Sequence, residues 1–406
     1  MTQLRDDDHV VVVGAGLAGW KFCEEVRRQG FDGAITLVGD EPHAPYDRPP
    51  LSKQILAGKW DVLHSTLATP SRMLELNVTP RFGASATELD LSTTTVHLAD
   101  GTQVAGSHVV VATGTRARRI SFDADTHVLR SRDDVIALLG ALEGVAVGAT
   151  VAVVGGGFIG AEVATHLVGR GYRPVVLEAA DRPLQGPLGE EVARWLEPLA
   201  SDAGIELRSR VQVADVIARD GGLSVVLADQ ERLDVSIAVV GVGAVPNTEW
   251  LASSGLTIDN GVVVDSMMMA NDRVAAIGDV ARFAWRNVLG VEMVRIEHWQ
   301  VANDHAVHLA RHWVTGASHD DLLIPYFWSD QYGKKIQMLG HAHPDDDVTM
   351  VAGSADDRRW LALYSRAGTV TGAVSLSSPR ALMLSKVLLE SPTSLADAIT
   401  DAPWAV

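Results

Sequence analysis

Four β-branched residues, Val10-Val11-Val12-Val13, run straight into Gly14-Ala15-Gly16-Leu17-Ala18-Gly19. A chain with this pattern has few choices: a buried strand, a tight turn and the start of a helix. The first glycine permits the turn, the second lets the backbone approach a pyrophosphate, and the third lets the helix lie close to the strand. The unpaired N–H groups of the helix start then face the phosphates. A single turn of this kind can be purely structural. The pattern returns, however, at Val151-Ala152-Val153-Val154-Gly155-Gly156-Gly157-Phe158-Ile159-Gly160. Two dinucleotide sites in one chain imply two dinucleotides.

At 406 residues the chain exceeds what one core usually holds, so two or three domains are expected, and a hydrophobic content of 47% supplies them amply. A formal net charge of −17 argues against nucleic-acid or membrane-surface partners, which demand a cationic face. The single cysteine, Cys23, can form no internal disulfide and fits a reducing setting. The first eight residues are polar and acid-rich, and no apolar run approaches the length of a membrane span. The expectation is a soluble, cytoplasmic protein.

Further along, Trp20 to Gly30 has helical periodicity with a glycine stop, and Ala34-Ile35-Thr36-Leu37-Val38 is a second buried strand. An acid just beyond such a strand accepts from both ribose hydroxyls of an adenosine, and Asp40 is the choice over Glu41; a merely solvated acid is the alternative. In the second copy the corresponding strand, Pro174-Val175-Val176-Leu177, ends at Glu178, at about the 20-residue spacing such a motif requires. A carboxylate there repels a 2′-phosphate, and Ala179 and Ala180 supply no cation to hold one. NADH is therefore preferred to NADPH, with Arg182 near enough to temper the preference.

Residues 78 to 112 alternate apolar and polar and suggest a small antiparallel excursion turning at Ala99-Asp100-Gly101. Met267-Met268-Met269 suits core or surface filling, because three consecutive side chains diverge. His341-Ala342-His343 and Asp345-Asp346-Asp347 suit a solvated loop, so no metal is expected.

Pro45-Tyr46-Asp47-Arg48-Pro49-Pro50-Leu51-Ser52-Lys53 carries three prolines, which forbid a sheet interior and fix a rigid loop leading into a helix. With Arg48-Pro49-Pro50-Leu51-Ser52-Lys53, both glycine motifs, Ala112-Thr113-Gly114, Ala276-Ile277-Gly278-Asp279-Val280 and Tyr326-Phe327-Trp328-Ser329-Asp330-Gln331-Tyr332, the chain resembles a known family nearly end to end. The family is that of the FAD-dependent, NADH-dependent ferredoxin reductases coupled to bacterial oxygenases: the putidaredoxin, rhodocoxin and rubredoxin reductases and the reductase components of dioxygenases.

The resemblance implies an α/β fold with two Rossmann-like dinucleotide-binding domains, as in glutathione reductase, and a small α+β C-terminal domain. The expected boundaries are 1–114 for the first part of the FAD domain, 115–235 for the NAD domain, 236–320 for the second part of the FAD domain, and 321–406 for the C-terminal domain. It also implies FAD contacts from the first glycine turn (Gly14, Ala15, Gly16, Leu17, Ala18, Gly19), Asp40, Arg48, Lys53, Ala86, Arg130, Asp279 and Trp299. Arg130 is otherwise a surface arginine capping a helix, Asp279 a local helix cap, and Trp299 a core residue. Gly155, Gly157, Phe158, Ile159, Gly160 and Glu178 would bind NAD, with Gly243 under the nicotinamide; Trp328 and Tyr332 would line the exposed flavin edge.

Glu162, two positions past the third glycine of the second motif, could simply favour a helix N-terminus in the first turn. By resemblance it pairs with Lys53 beside flavin N5, stabilising developing negative charge and orienting the nicotinamide. Cys23 has no Cys-x₄-Cys partner, so electrons must leave the flavin outward, to an external acceptor; the resemblance implies a small iron–sulfur ferredoxin that serves an oxygenase such as a cytochrome monooxygenase. Two departures from the family pattern, Leu67-Ala68-Thr69-Pro70 and Arg116-Ala117, bear on the partner rather than on the flavin. The alternatives are an NADH oxidase or quinone-type reductase, and an NADH-sensing flavoprotein like apoptosis-inducing factor. A monomer or weak homodimer is expected.

Overall fold

The structure, a computed structural model, describes residues 3–317 and 323–405. The chain divides into two compact units: residues 1–47, 65–116 and 245–327 form the first, and 48–64, 117–244 and 328–406 the second.

The first unit is built on a five-stranded parallel sheet in the order Val274–Ala276, His108–Val111, His9–Val13, Ala34–Gly39, Val78–Phe82. Strands covered on both faces are apolar throughout rather than alternating, and Val10 to Val13 are at most 2% exposed. Helices Leu17–Arg28 and Trp299–Thr315 pack together, with the Phe22 and Trp313 rings edge to face at 5.6 Å. The antiparallel excursion is smaller than expected. Val78–Phe82 joins the parallel sheet, and the meander comprises Ala86–Asp90, Thr95–Leu98 and Gln103–Ala105. Its turn is fixed by Asp100, whose carboxylate accepts from the Thr102 N–H and hydroxyl at 2.9 and 2.6 Å.

The second unit repeats the scheme with four parallel strands in the order Glu206–Arg208, Arg173–Leu177, Thr150–Val154, Ile237–Val240. An antiparallel sheet of Val213–Arg219, Gly222–Leu227 and Arg232–Val235 flanks it in sequence. The five-stranded antiparallel sheet of the C-terminal region, ordered Tyr326–Gln331, Lys334–Gly340, Thr369–Leu376, Arg359–Arg366, Asp347–Ser354, is anchored on the same unit. The buried Tyr364 hydroxyl donates to the Leu188 carbonyl at 2.8 Å, and Trp195 meets Trp360 edge to face at 5.4 Å.

Two expected boundaries shift. The return to the FAD domain at 236 is corrected, because Ile237–Val240 pairs in parallel with Val151 to Val154 and completes the second sheet. An all-apolar strand suits either sheet, and only its pairing decides. Residues 328–406, which hold most of the C-terminal sheet, and residues 48–64 cluster with the second unit. The expected boundary between 320 and 321 lies outside the described residues. No helix among the described residues is long and apolar enough to cross a membrane.

Candidate functional site

In both parallel sheets the strand order reverses beside the first strand, and the glycine turn sits there, where open sheets bind ligands. At the first turn Gly14 has φ +121°, and a Cβ on it would stand 2.1 Å from the Ala112 carbonyl oxygen; one on Gly19 would stand 2.0 Å from the Gly14 oxygen. At the second, Gly155 has φ +101° and meets the Gly241 oxygen at 2.4 Å, and Gly160 meets the Gly155 oxygen at 2.0 Å. A Cβ on Gly16 would meet nothing within 4 Å, and one on Gly157 only the Gly241 oxygen at 3.9 Å. The outer glycines are thus dictated by the protein and the middle one by open space. Neither helix start, at Gly16 or Gly157, has a side-chain cap, and neither has an acid in its first turn. These are the features of a phosphate cradle, and both turns fit a dinucleotide.

Around the first turn, Ala15, Gly16 and Leu17 are half-buried and Ala18 is buried. Asp40 is exposed at the end of Ala34–Gly39, its carboxylate accepting from the Glu41 N–H at 3.0 Å. Asp279 follows Val274–Ala276, with Thr115 Oγ1 3.4 Å from its Oδ2 and Arg295 Nη1 donating to its carbonyl at 3.1 Å. Trp299 opens its helix and donates from Nε1 to Asp47 Oδ1 at 2.8 Å, which fixes the indole at a 40% exposed position. Ala86 is half-buried at the start of the meander. One residue here escaped the sequence reading. His305 is buried, accepts at Nδ1 from the Gly278 N–H at 3.3 Å and meets the Phe283 ring at 4.4 Å. Burial, aided by His308, pushes its pKa down to about 3, so the ring stays neutral with its proton on Nε2.

At the second turn, Glu178 binds the turn itself. Its Oε2 accepts from the Gly156 N–H at 2.7 Å and its Oε1 from the Ala180 N–H at 2.8 Å, leaving each oxygen a further lone pair. The cation named as tempering is already engaged: Arg182 lies 3.4 Å from Glu190 and 3.3 Å from Glu197. Phe158 is half-buried, Ile159 exposed, and Gly243, at φ +96°, has open space where a Cβ would be.

The helix Phe158–Gly169 carries Glu162 as its fifth residue, past the first turn, so the dipole explanation of this acid is corrected. Glu162 is 2% exposed and Lys53 9%, with Nζ and Oε2 2.7 Å apart. Lys53 is delivered by Leu51–Ile55, a π-helical turn in which the Ile55 N–H reaches back to the Pro50 carbonyl at 3.0 Å, rather than by an ordinary helix. Arg48 ties the same segment down, donating from Nη1 to the Arg130 carbonyl at 2.8 Å. The Arg130 N–H in turn donates to Asp134 in a capping box with Ser131. Three further donors to Glu162 escaped the sequence reading: Ser52 Oγ at 2.5 Å, Ser329 Oγ at 2.5 Å and the Asp330 N–H at 3.3 Å. No local signal marks them, since Ser329 stands 167 positions away. One turn on from Glu162, burial pushes the His166 imidazole below its ordinary value, with Glu162 opposing and Lys53 adding.

Tyr332 heads the hairpin after Ser329, its N–H donating to Thr165 Oγ1 at 2.8 Å; burial pushes its phenol up to about 12. Met268 and Met269 are core residues, and Trp313 Nε1 lies 3.1 Å from the Met269 sulfur. Cys23 is buried, its thiol pushed up to about 12 by burial. Among the described residues, no three of His, Cys, Asp and Glu are grouped to hold a metal.

The pyridine nucleotide-disulphide oxidoreductase model matches residues 8–306, and the reductase C-terminal model residues 326–403. Rhodocoxin reductase of Rhodococcus erythropolis is 33% identical over 95% of this chain and 90% of its own length. Putidaredoxin reductase of Pseudomonas putida is 30% identical over 95% and 92%. The solved covalent complex of putidaredoxin reductase with putidaredoxin has a chain 28% identical that superposes with a TM-score of 0.91, covering 99% of this chain and 100% of that one. On this evidence the chain belongs to the pyridine nucleotide-disulphide oxidoreductase family, as an oxidoreductase that binds FAD and uses NAD(H).

Proposed function

We propose that the protein carries electrons from NADH through FAD to a small iron–sulfur ferredoxin, and so supplies an oxygenase. When bound, FAD accepts a hydride equivalent from NADH and hands electrons on singly. The observation that carries the reading is the duplicated glycine turn with a buried Lys53–Glu162 pair on the second. The first turn, with Asp40 and Asp279 at the ends of two strands of its sheet, takes FAD; the second, with Glu178, takes NADH. Glu178 and the engagement of Arg182 by Glu190 and Glu197 leave little positive charge for a 2′-phosphate, which favours NADH over NADPH. Lys53, held by Glu162, is the fixed positive charge assigned to stabilising the negative charge that develops during flavin reduction. The buried Cys23 takes no part. The same reading places the protein in the cytoplasm, as a monomer or weak homodimer.

Anaerobic stopped-flow mixing tests it. NADH bleaches the flavin fast, NADPH far more slowly, and a [2Fe–2S] ferredoxin restores the yellow form at a comparable rate. Reduced flavin that every ferredoxin fails to reoxidise, while oxygen or a quinone succeeds, would assign an oxidase instead. Persistence of the reduced protein with all acceptors, together with an NADH-dependent change in sedimentation, would assign a sensor.

A further inference from the structure

Glu162 is held by more than its lysine. Oε2 accepts from Ser52 Oγ at 2.5 Å and Lys53 Nζ at 2.7 Å, and Oε1 accepts from Ser329 Oγ at 2.5 Å and the Asp330 N–H at 3.3 Å. Four donors occupy the four lone-pair positions of one carboxylate. They arrive from two segments far apart in sequence, the proline-rich turn and the strand Tyr326–Gln331, and meet on the nucleotide-turn helix. Both serines are buried, at 3% and 1% exposure. Their direction is also set. Gln331 Nε2 donates to Ser329 Oγ at 3.0 Å, which aims the serine's own proton at Glu162. The competing acceptor for Ser52, the Pro49 carbonyl, is 3.5 Å away, a full ångström further than Glu162.

We propose that Ser52 and Ser329 are positioning residues of the redox site, holding the Glu162 carboxylate in one orientation so that Lys53 is presented in one place. The strand carrying Ser329 then makes the C-terminal region a working part of that site rather than an appendage. The proposal rests on the role given to Lys53 and Glu162 above. Its physical basis is simple. All four hydrogen bonds are made in only one orientation of the carboxylate, and that orientation fixes where Lys53 Nζ sits.

The test uses the FAD-loaded protein. The carboxylate stretch of Glu162, identified as the infrared band missing from Glu162→Gln, is compared in Ser52→Ala and Ser329→Ala, alongside the limiting rate of flavin reduction at saturating NADH. Each loss of a hydroxyl shifts that stretch and lowers the limiting rate about fivefold with the apparent Kd for NADH unchanged, and Ser→Thr at either position restores both. Should Ser329→Ala fail to fold, Gln331→Met, which removes only the bond orienting the serine, gives the same changes at smaller size. Stretch and limiting rate unchanged in these variants, with Lys53→Met still slowing reduction, would overturn the clamp and leave the pair's role intact. An unchanged reduction rate in Lys53→Met would overturn the role of the pair, while the infrared stretch still decides the clamp.

Discussion

The two glycine turns share a backbone and differ in what their helices carry. Each has its first glycine against the end of the neighbouring strand and its third against the first. Two residues beyond the third glycine the copies part: the first helix has Lys21, half-buried, and the second has Glu162, at 2% exposure. The first helix turns Trp20, Phe22, Cys23 and Val26 into the core of its unit, and its one buried acid, Glu25, pairs locally with Arg28. The second helix buries an acid that gathers donors from positions 52, 53, 329 and 330. The first turn is a cradle alone; the second carries a buried ion pair on its helix as well.

The largest expected effect separates the cradles. Gly14→Ala places a Cβ 2.1 Å from a backbone oxygen at φ +121°, a strain of more than about 4 kcal/mol, so the purified protein should be colourless or fail to accumulate. Flavin absorbance against protein measures it, and normal FAD content would break the assignment of this turn.

Next comes the pair. Lys53→Met leaves Glu162 buried without its cation, which destabilises by about 3–5 kcal/mol in denaturant unfolding, and removing its charge slows flavin reduction about 10²-fold or more. Lys21→Met, at the same offset on the first helix, should change the reduction rate less than about twofold, since a half-exposed lysine stabilises little. Equal effects at the two positions would erase the contrast.

A pH effect sharpens it from the other side. His305, beside the Gly278–Asp279 turn, has a pKa of about 3 when folded against 6.5 as the ordinary value. Its folded value is depressed, so the stability linked to it is complete above pH 6.5 and falls as the unfolded state takes up protons below that, until about pH 3. Urea unfolding at about pH 5 should therefore show up to about 2 kcal/mol less stability than at pH 7 from this residue. His305→Phe should flatten that slope; an unaltered slope would remove His305 from the account. The smallest effect is on nucleotide choice. Glu178→Gln should narrow the preference for NADH over NADPH by about tenfold in kcat/KM.

What could be read from residues alone follows the range of the interactions. The two cradles were legible because glycine spacing, apolar strands and strand-end acids are local, and Glu178 and Glu162 lie within 25 residues of their glycines. The sheet of Ile237–Val240 is not legible, because four apolar residues state that a strand is buried, not beside what. Nor is that of Val78–Phe82, whose pattern suits a meander and the edge strand of a parallel sheet equally well. The Ser52 and Ser329 contacts were invisible because a serine shows nothing of its partner until folding brings one 167 positions away. The π-helical delivery of Lys53 likewise depends on three closely spaced prolines whose joint geometry propensities do not resolve.

The most direct measurement is made on Gly157→Ala, where a Cβ would meet only the Gly241 oxygen, at 3.9 Å, and would fill the open space of the second cradle without straining the fold. The purified protein should keep wild-type flavin content while NADH no longer saturates its reduction over the range that saturates the wild type. Loss of flavin with NADH saturation intact would contradict the division of labour between the two turns.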